Sequence, residues 1–348
     1  MMMVGNECRQ AGGRDMILFE FEHENPVLAE DAVARLHEIE AEARFMAGGT
    51  DLIPNMRIGI AKPAHVISLT RIPREPMAVG ADGWLRIDAL TTLSEIEHSA
   101  LVVGAAPILA ASAHTVAGNQ IRQRATLGGN LCQETRCLYL NQQHDFQFVE
   151  PCYKRGGDCC YPFPKNKKEV CWSVYMSDIA PALMAWGADV TVLGSGGEVR
   201  MPIEALFTGD GLRPMTLNPG EMLRFVHMPP AKPHMGWGYH KSTVRGGLEF
   251  GIAVMALTLR LEDDLETCAE ASIAIGAVNE GPVKLVDTVS AMIGKKLTKA
   301  ALTELADMAS REINPLPHHG FSKPYLRDNI RVHLRRAMQT ALARAQES

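Results

Sequence analysis

Cys137, Cys152, Cys160 and Cys171 fall within 35 residues of a 348-residue chain. Four thiols are the ligand count of an iron-sulfur cube, because soft anionic sulfur is the preferred donor to such iron and four thiolates complete the cluster's outer valences. Their spacings of 15, 8 and 11 are looser than the CxxCxxC of a small ferredoxin. Cys132 and Cys159 lie in the same region. The count alone therefore leaves open which thiols bind, and whether they hold iron, structural zinc or nothing. Only Cys8 and Cys268 lie elsewhere, which argues against a disulfide scaffold, whose cysteines are spread through a small secreted chain.

The second chemical feature is a pair of glycine turns, Gly48-Gly49 and Gly128-Gly129. Without a Cβ, such a backbone can take positive φ and bring several N–H groups close to one phosphate, so two turns could clasp a pyrophosphate. Neither fits GxGxxG, which disfavours a nicotinamide-binding Rossmann domain. Taken singly, each pair is an ordinary turn. His318-His319 reads as a solvated loop rather than a metal pair, since adjacent histidines point in different directions.

The elements around these features read as small mixed α/β units. Asn25-Pro26 starts a helix carried by Val27, Leu28, Ala32, Val33, Leu36 and Ile39. A short strand at 45–47 runs into the first glycine turn, and Thr50-Asp51 opens a helix. Strands follow at 65–69 and 84–87, and Thr92 to Glu95 has capping-box spacing. Beyond the cysteines come a helix at 177–186 and a hairpin turning at 194–197. Strands at 222–228, 237–242, 250–260 and 269–278 precede helices at 298–312 and 323–345.

Ala47-Gly48-Gly49-Thr50-Asp51-Leu52, then Ala125-Thr126-Leu127-Gly128-Gly129-Asn130-Leu131, then Asp178-Ile179-Ala180-Pro181-Ala182-Leu183 resemble, in that order, the signatures of the FAD-binding subunit of xanthine oxidase-family molybdenum hydroxylases. The resemblance covers residues 16 to about 345. It implies an α+β fold, with a two-subdomain FAD-binding domain of the PCMH/vanillyl-alcohol-oxidase-like type and a C-terminal domain like that of CO dehydrogenase flavoproteins. It implies FAD contacts at Ala47, Gly48, Gly49, Thr50, Asp51, Thr126, Gly128, Gly129, Asn130 and Asp178. Leu223 and Lys241 match later flavin contacts. The division expected is a disordered extension at 1–15, the FAD-binding domain at 16–219 and the last domain at 220–348.

From Asn130 to Asp178 the chain takes 48 residues, far longer than most of that family. The interruption at 132–175 resembles the cluster-bearing insertion of the 4-hydroxybenzoyl-CoA reductase β subunit. By that likeness Cys137, Cys152, Cys160 and Cys171 are metal ligands to a [4Fe-4S] cluster, with Cys132 and Cys159 as neighbouring packing thiols. The function implied is electron transfer, with no catalytic residue of its own. Its partners would be a molybdopterin-binding large subunit, a [2Fe-2S] small subunit and ferredoxin or a similar one-electron donor. The alternative is the FAD subunit of an aldehyde or heterocycle oxidoreductase with the same insertion, and a scaffold without flavin is a third class.

Bulk properties set the remaining bounds. An apolar content of 46%, a charge of -5 and a pI near 6.2 fit a globular protein and exclude a field built for nucleic acid. No run of about 18 apolar residues suggests a membrane span, and the first fifteen residues lack an apolar signal core, so a cytoplasmic protein is expected.

Overall fold

In the computed structural model, residues 18–39, 42–142, 150–165 and 169–348 are described. The expected extension at 1–15 lies outside them. Three sheets follow one another along the chain.

The first is parallel, in the order β1 (Glu22–Glu24), β3 (His65–Ser68), β2 (Ala43–Met46). Helix α1 (Ala29–Ile39) covers it through Ala29, Ala32, Val33 and Leu36, spaced for one helical face. Val27 and Leu28, expected to start that face, lie ahead of the helix and are exposed. After β2 the chain turns through Gly48-Gly49 into α2 (Leu52–Arg57).

The second sheet is antiparallel and runs β4 (Ala78–Val79), β5 (Leu85–Asp88), β8 (Met222–Met228), β6 (Asp189–Gly194), β7 (Gly197–Pro202). All seven residues of β8 are buried, as a central strand covered on both faces requires. The division expected at 220 cuts this sheet, because β8 hydrogen-bonds to both β5 and β6. Strand pairing puts the join after Met228. Helices α3 (Leu93–His98), α4 (Ala100–Ala105), α5 (Pro107–His114) and α6 (Asn119–Arg122) lead from β5 towards the second glycine turn, and Thr92 makes both halves of the expected capping box.

The third sheet is a meander of β9 (Met235–Ser242), β10 (Ala253–Leu261), β11 (Cys268–Gly276) and β12 (Val283–Lys284). In the last domain α9 (Val286–Met292) packs on β11, while α10 (Lys299–Glu312) and α11 (Lys323–Glu347) close the core. Helix α11 lies flush on β9: a Cβ on Gly238 would stand 2.1 Å from the carbonyl oxygen of Ala337.

Between the second and third sheets sits α8 (Ala180–Trp186), every residue of which is buried. Thr258 Oγ1 donates to the Ala185 carbonyl at 2.8 Å, tying the helix to β10. Burying one large aliphatic side chain fully stabilises by about 1.5–3 kcal/mol, so Leu183 and Ile179 make this joint costly to open. Among the described residues no helix is long and apolar enough to cross a membrane.

Candidate functional site

Where the first two subunits of structure meet, the two glycine turns face one cleft of about 360 Å³. Ala47, Gly48, Gly49, Thr50 and Asp51 line one side; Thr126, Gly128 and Gly129 line another, and Leu223 from β8 closes it. Of the four turn glycines only Gly49 has positive φ, at 71°. The others serve close approach. A Cβ on Gly48 would lie 1.9 Å from the Arg124 carbonyl oxygen, and one on Gly128 would lie 2.9 Å from the Ala89 Cβ. Gly128 and Gly129 in fact belong to a short helix, α7 (Leu127–Leu131), whose cap Thr126 accepts from the Gly129 N–H at 3.1 Å.

Asn130, Asp178 and Lys241 stand behind the second turn. Asn130 Oδ1 accepts from the Ser177 hydroxyl at 2.6 Å, which leads directly to Asp178. The Asp178 carboxylate pairs with Lys241 Nζ at 2.7 Å, both side chains only 5% exposed. Lys241 also donates to the Thr115 carbonyl, and the Tyr239 hydroxyl donates to that of Asp178. Burial pushes the Asp178 carboxyl up to about 6 against the pull of Lys241. Its Oδ1 has no partner, nor does Asn55 Oδ1 on the cleft wall. A turn-lined cleft with the unmet Asn55 acceptor on its wall, backed by a second unmet acceptor on Asp178, fits a polar dinucleotide such as FAD.

The insertion returns on itself: Arg136 and Val174 exchange backbone hydrogen bonds at 2.7 and 2.9 Å. Between those ends, Cys137, Cys152, Cys160 and Cys171 line one narrow hollow of about 10 Å³, with Tyr139, Tyr161 and Trp172. Burial pushes the Cys137, Cys160 and Cys171 thiols up. Opposing it are N–H groups of Tyr139 and Leu140 at Cys137, of Trp172 and Phe163 at Cys160, and of Ser173 at Cys171. Backbone donors converging on sulfur stabilise thiolate. The fit to a metal rests on these donors rather than on free volume.

All seven described cysteines are free. No three of their sulfurs lie within 4.8 Å of one another among the described residues. A single tetrahedral zinc with Zn–S near 2.3 Å would bring four sulfurs to about 3.8 Å apart. The sulfurs as placed therefore do not form a ready-made tetrahedral zinc site.

Cys132, expected as a packing thiol beside the cluster, lines the flavin cleft. Cys159 instead offers its carbonyl to the Tyr153 N–H at 2.8 Å. His318, expected in a solvated loop, is half-buried, its ring nitrogens near the Leu316 and Ile252 carbonyls.

Of the residues that join cleft and hollow, Asp51 is an expected flavin contact, whereas Glu134, Arg136 and Lys154 were not singled out in the sequence. Asp51 accepts from the Glu134 N–H at 3.0 Å and from Arg136, one residue before Cys137. Lys154 Nζ reaches Glu134 Oε1 at 2.6 Å. Only the placement of Lys154 and Arg155 between Cys152 and Cys160 hinted at them.

A cleft between two subdomains joined at glycine turns, backed by an α+β domain, defines a two-part FAD-binding flavoprotein. Residues 19–231 match the FAD binding domain in molybdopterin dehydrogenase, and residues 237–341 match the CO dehydrogenase flavoprotein C-terminal domain. The chain belongs to the FAD-binding medium subunits of the xanthine oxidase family of molybdenum hydroxylases, and is an oxidoreductase subunit.

It is 26% identical over 331 residues to the carbon monoxide dehydrogenase medium chain of Hydrogenophaga pseudoflava, covering 94% of this chain and 99% of that one. With the aldehyde oxidoreductase FAD-binding subunit PaoB of Escherichia coli K12 it shares 27% over 256 residues, 70% of this chain and 77% of PaoB. The solved carbon monoxide dehydrogenase from Hydrogenophaga pseudoflava that lacks the Mo-pyranopterin moiety superposes with a TM-score of 0.77 at 24% identity, over 94% of this chain and 99% of that one, and so shares the fold.

Proposed function

We propose that the chain is the flavin and [4Fe-4S] electron-transfer subunit of a cytoplasmic molybdenum hydroxylase-family complex, and that the complex is a 4-hydroxybenzoyl-CoA reductase. The observation that carries this reading is the convergence of four cysteines on one hollow whose wall is joined to the flavin cleft by the Lys154–Glu134 ion pair. In such a complex a molybdopterin large subunit binds the aromatic CoA thioester, and two electrons with two protons replace its phenolic hydroxyl by hydrogen and release water. The partners of this reading are a [2Fe-2S] small subunit, which would relay those electrons from this chain, and a ferredoxin-like donor, which would supply them one at a time.

FAD, when bound, supplies conversion between one- and two-electron steps, and a four-iron cluster supplies the one-electron entry. This chain's residues position both. The turns at Ala47–Asp51 and Thr126–Asn130 hold the dinucleotide. Leu223 on the cleft wall, with the buried Asp178–Lys241 pair behind the second turn, would set the flavin end. Cys137, Cys152, Cys160 and Cys171 ligate iron. Tyr139 and Tyr161, stacked with ring centroids 4.9 Å apart, cover the hollow.

The test is the native complex, purified anaerobically. Four irons on this chain with a reduced-state paramagnetic signal, and conversion of 4-hydroxybenzoyl-CoA to benzoyl-CoA with a reduced low-potential donor, are expected. One zinc per chain would sink the cluster assignment. A second reading, an aldehyde oxidoreductase subunit, draws on the likeness to PaoB; aldehyde oxidation with no thioester reduction would establish it instead.

A further inference from the structure

We propose that Lys154 is a positioning residue that raises the reduction potential of the four-cysteine site and ties it electrostatically to the flavin cleft. The inference rests on the cluster reading above. Lys154 lies on the wall of the hollow, yet its side chain is only 9% exposed. Its ammonium uses three donors on three acceptors: Glu134 Oε1 at 2.6 Å, Thr135 Oγ1 at 2.9 Å and the Gly211 carbonyl at 2.6 Å.

From Thr135 the contacts run towards the ligands. The Thr135 and Ser173 hydroxyls are 2.6 Å apart, and the Cys171 thiol donates to Ser173 Oγ at 3.1 Å. From Glu134 they run the other way. Its N–H donates to Asp51 at 3.0 Å, and both acids line the cleft. One buried cation thus stands between a ligand thiol and two cleft carboxylates.

A surface lysine would be screened by water, but a buried one acts at short range in a medium of low effective dielectric. Adding an electron makes an anionic thiolate-ligated assembly more anionic. A fixed positive charge beside it favours the reduced form, and Glu134 partly offsets that charge. Hydrogen bonds and net charge around the sulfurs are the levers by which proteins set such potentials.

The experiment is a redox titration of the iron-site signal in the purified complex, with iron counted per chain. Lys154→Met should lower the midpoint by at least 59 mV, a tenfold change for one electron. Lys154→Arg should hold it near the wild-type value. Glu134→Gln, which removes the offsetting charge, should move it up and keeps the idea testable if the methionine variant loses iron. Opposite signs for the Lys154 and Glu134 variants are outside what a purely structural role produces. Four irons per chain with unchanged midpoints in Lys154→Met and Glu134→Gln would overturn the role of Lys154 and leave the cluster intact. A wild-type chain without iron would overturn both.

Discussion

Gly48→Ala probes the joint on which the flavin cleft depends. The added Cβ would sit 1.9 Å from the Arg124 carbonyl oxygen and 2.6 Å from its carbon, whereas real contacts stay beyond 3.0 Å. The segments must therefore separate by more than 1 Å. The obstacle is backbone and cannot swing aside. Ala125 N–H donates to Ile121 at 2.7 Å, Ala125 accepts from Leu93 N–H at 2.9 Å, and Leu127 N–H donates to Thr91 at 2.9 Å. Overpacking of this kind costs about 1–3 kcal/mol. Arg124 runs straight into Thr126, so strain relieved by parting the turns would weaken FAD binding by roughly 5- to 150-fold. Flavin absorbance per chain after gel filtration, with added FAD titrated back, measures it. Gly104→Ala is the control: nothing lies within 4 Å of a Cβ there, and its place in α4 gives a gain of up to about 1 kcal/mol in helix propensity. A Gly48→Ala protein that keeps full flavin and its wild-type melting temperature would refute the reasoning.

Two further predictions concern buried charge. Asp178→Asn leaves Lys241 buried without its counter-ion and should cost about 3–5 kcal/mol in denaturant unfolding, most of it recovered in the Asp178→Asn, Lys241→Met double variant. Additive losses in that cycle would show that the pair is not the unit. The acid limb of the stability curve should in turn be set by His227 and His333. Burial and nearby positive charge push each down to about 4, Arg200 and Arg86 acting at His227, His240 and Arg336 at His333. Unfolded histidine takes a proton near 6.5. Between pH 6.5 and 4 the unfolded state therefore binds more protons, and stability falls as the pH falls. Asp178 works against this, because its raised native value makes acidification from about 6 towards 4 favour the fold. Replacing both histidines by glutamine should flatten the limb in urea unfolding series; an unchanged slope would show that they are not its source.

Much of the scaffold was legible because its signals are local. The strand at 222–228 has the expected bounds, since an apolar run with no competing turn leaves little choice. The Thr92 capping box needs only four residues, and the hairpin at 194–197 needs only its glycines. The failures share a cause in tertiary contact. Val27 and Leu28 have the right period yet precede the helix. The glycines of the second turn were read as a means to positive φ, but they are helical, and Gly128 is small because Ala89 packs against it.

The site divides in the same way. Its glycine turns and cysteines announce themselves by type, but their coupling depends on residues distant in sequence: Asp51 with Glu134 and Arg136, Glu134 with Lys154. Asp51 is half-buried, and desolvation there raises its carboxyl while Arg136 opposes the rise. An acid held in that environment is compensated only while the insertion stays docked. The insertion is therefore not an appendage on a flavin domain. Its cation neutralises a carboxylate of the first glycine turn, and removing it would leave that half-buried carboxylate without its counter-charge in the wall of the cleft.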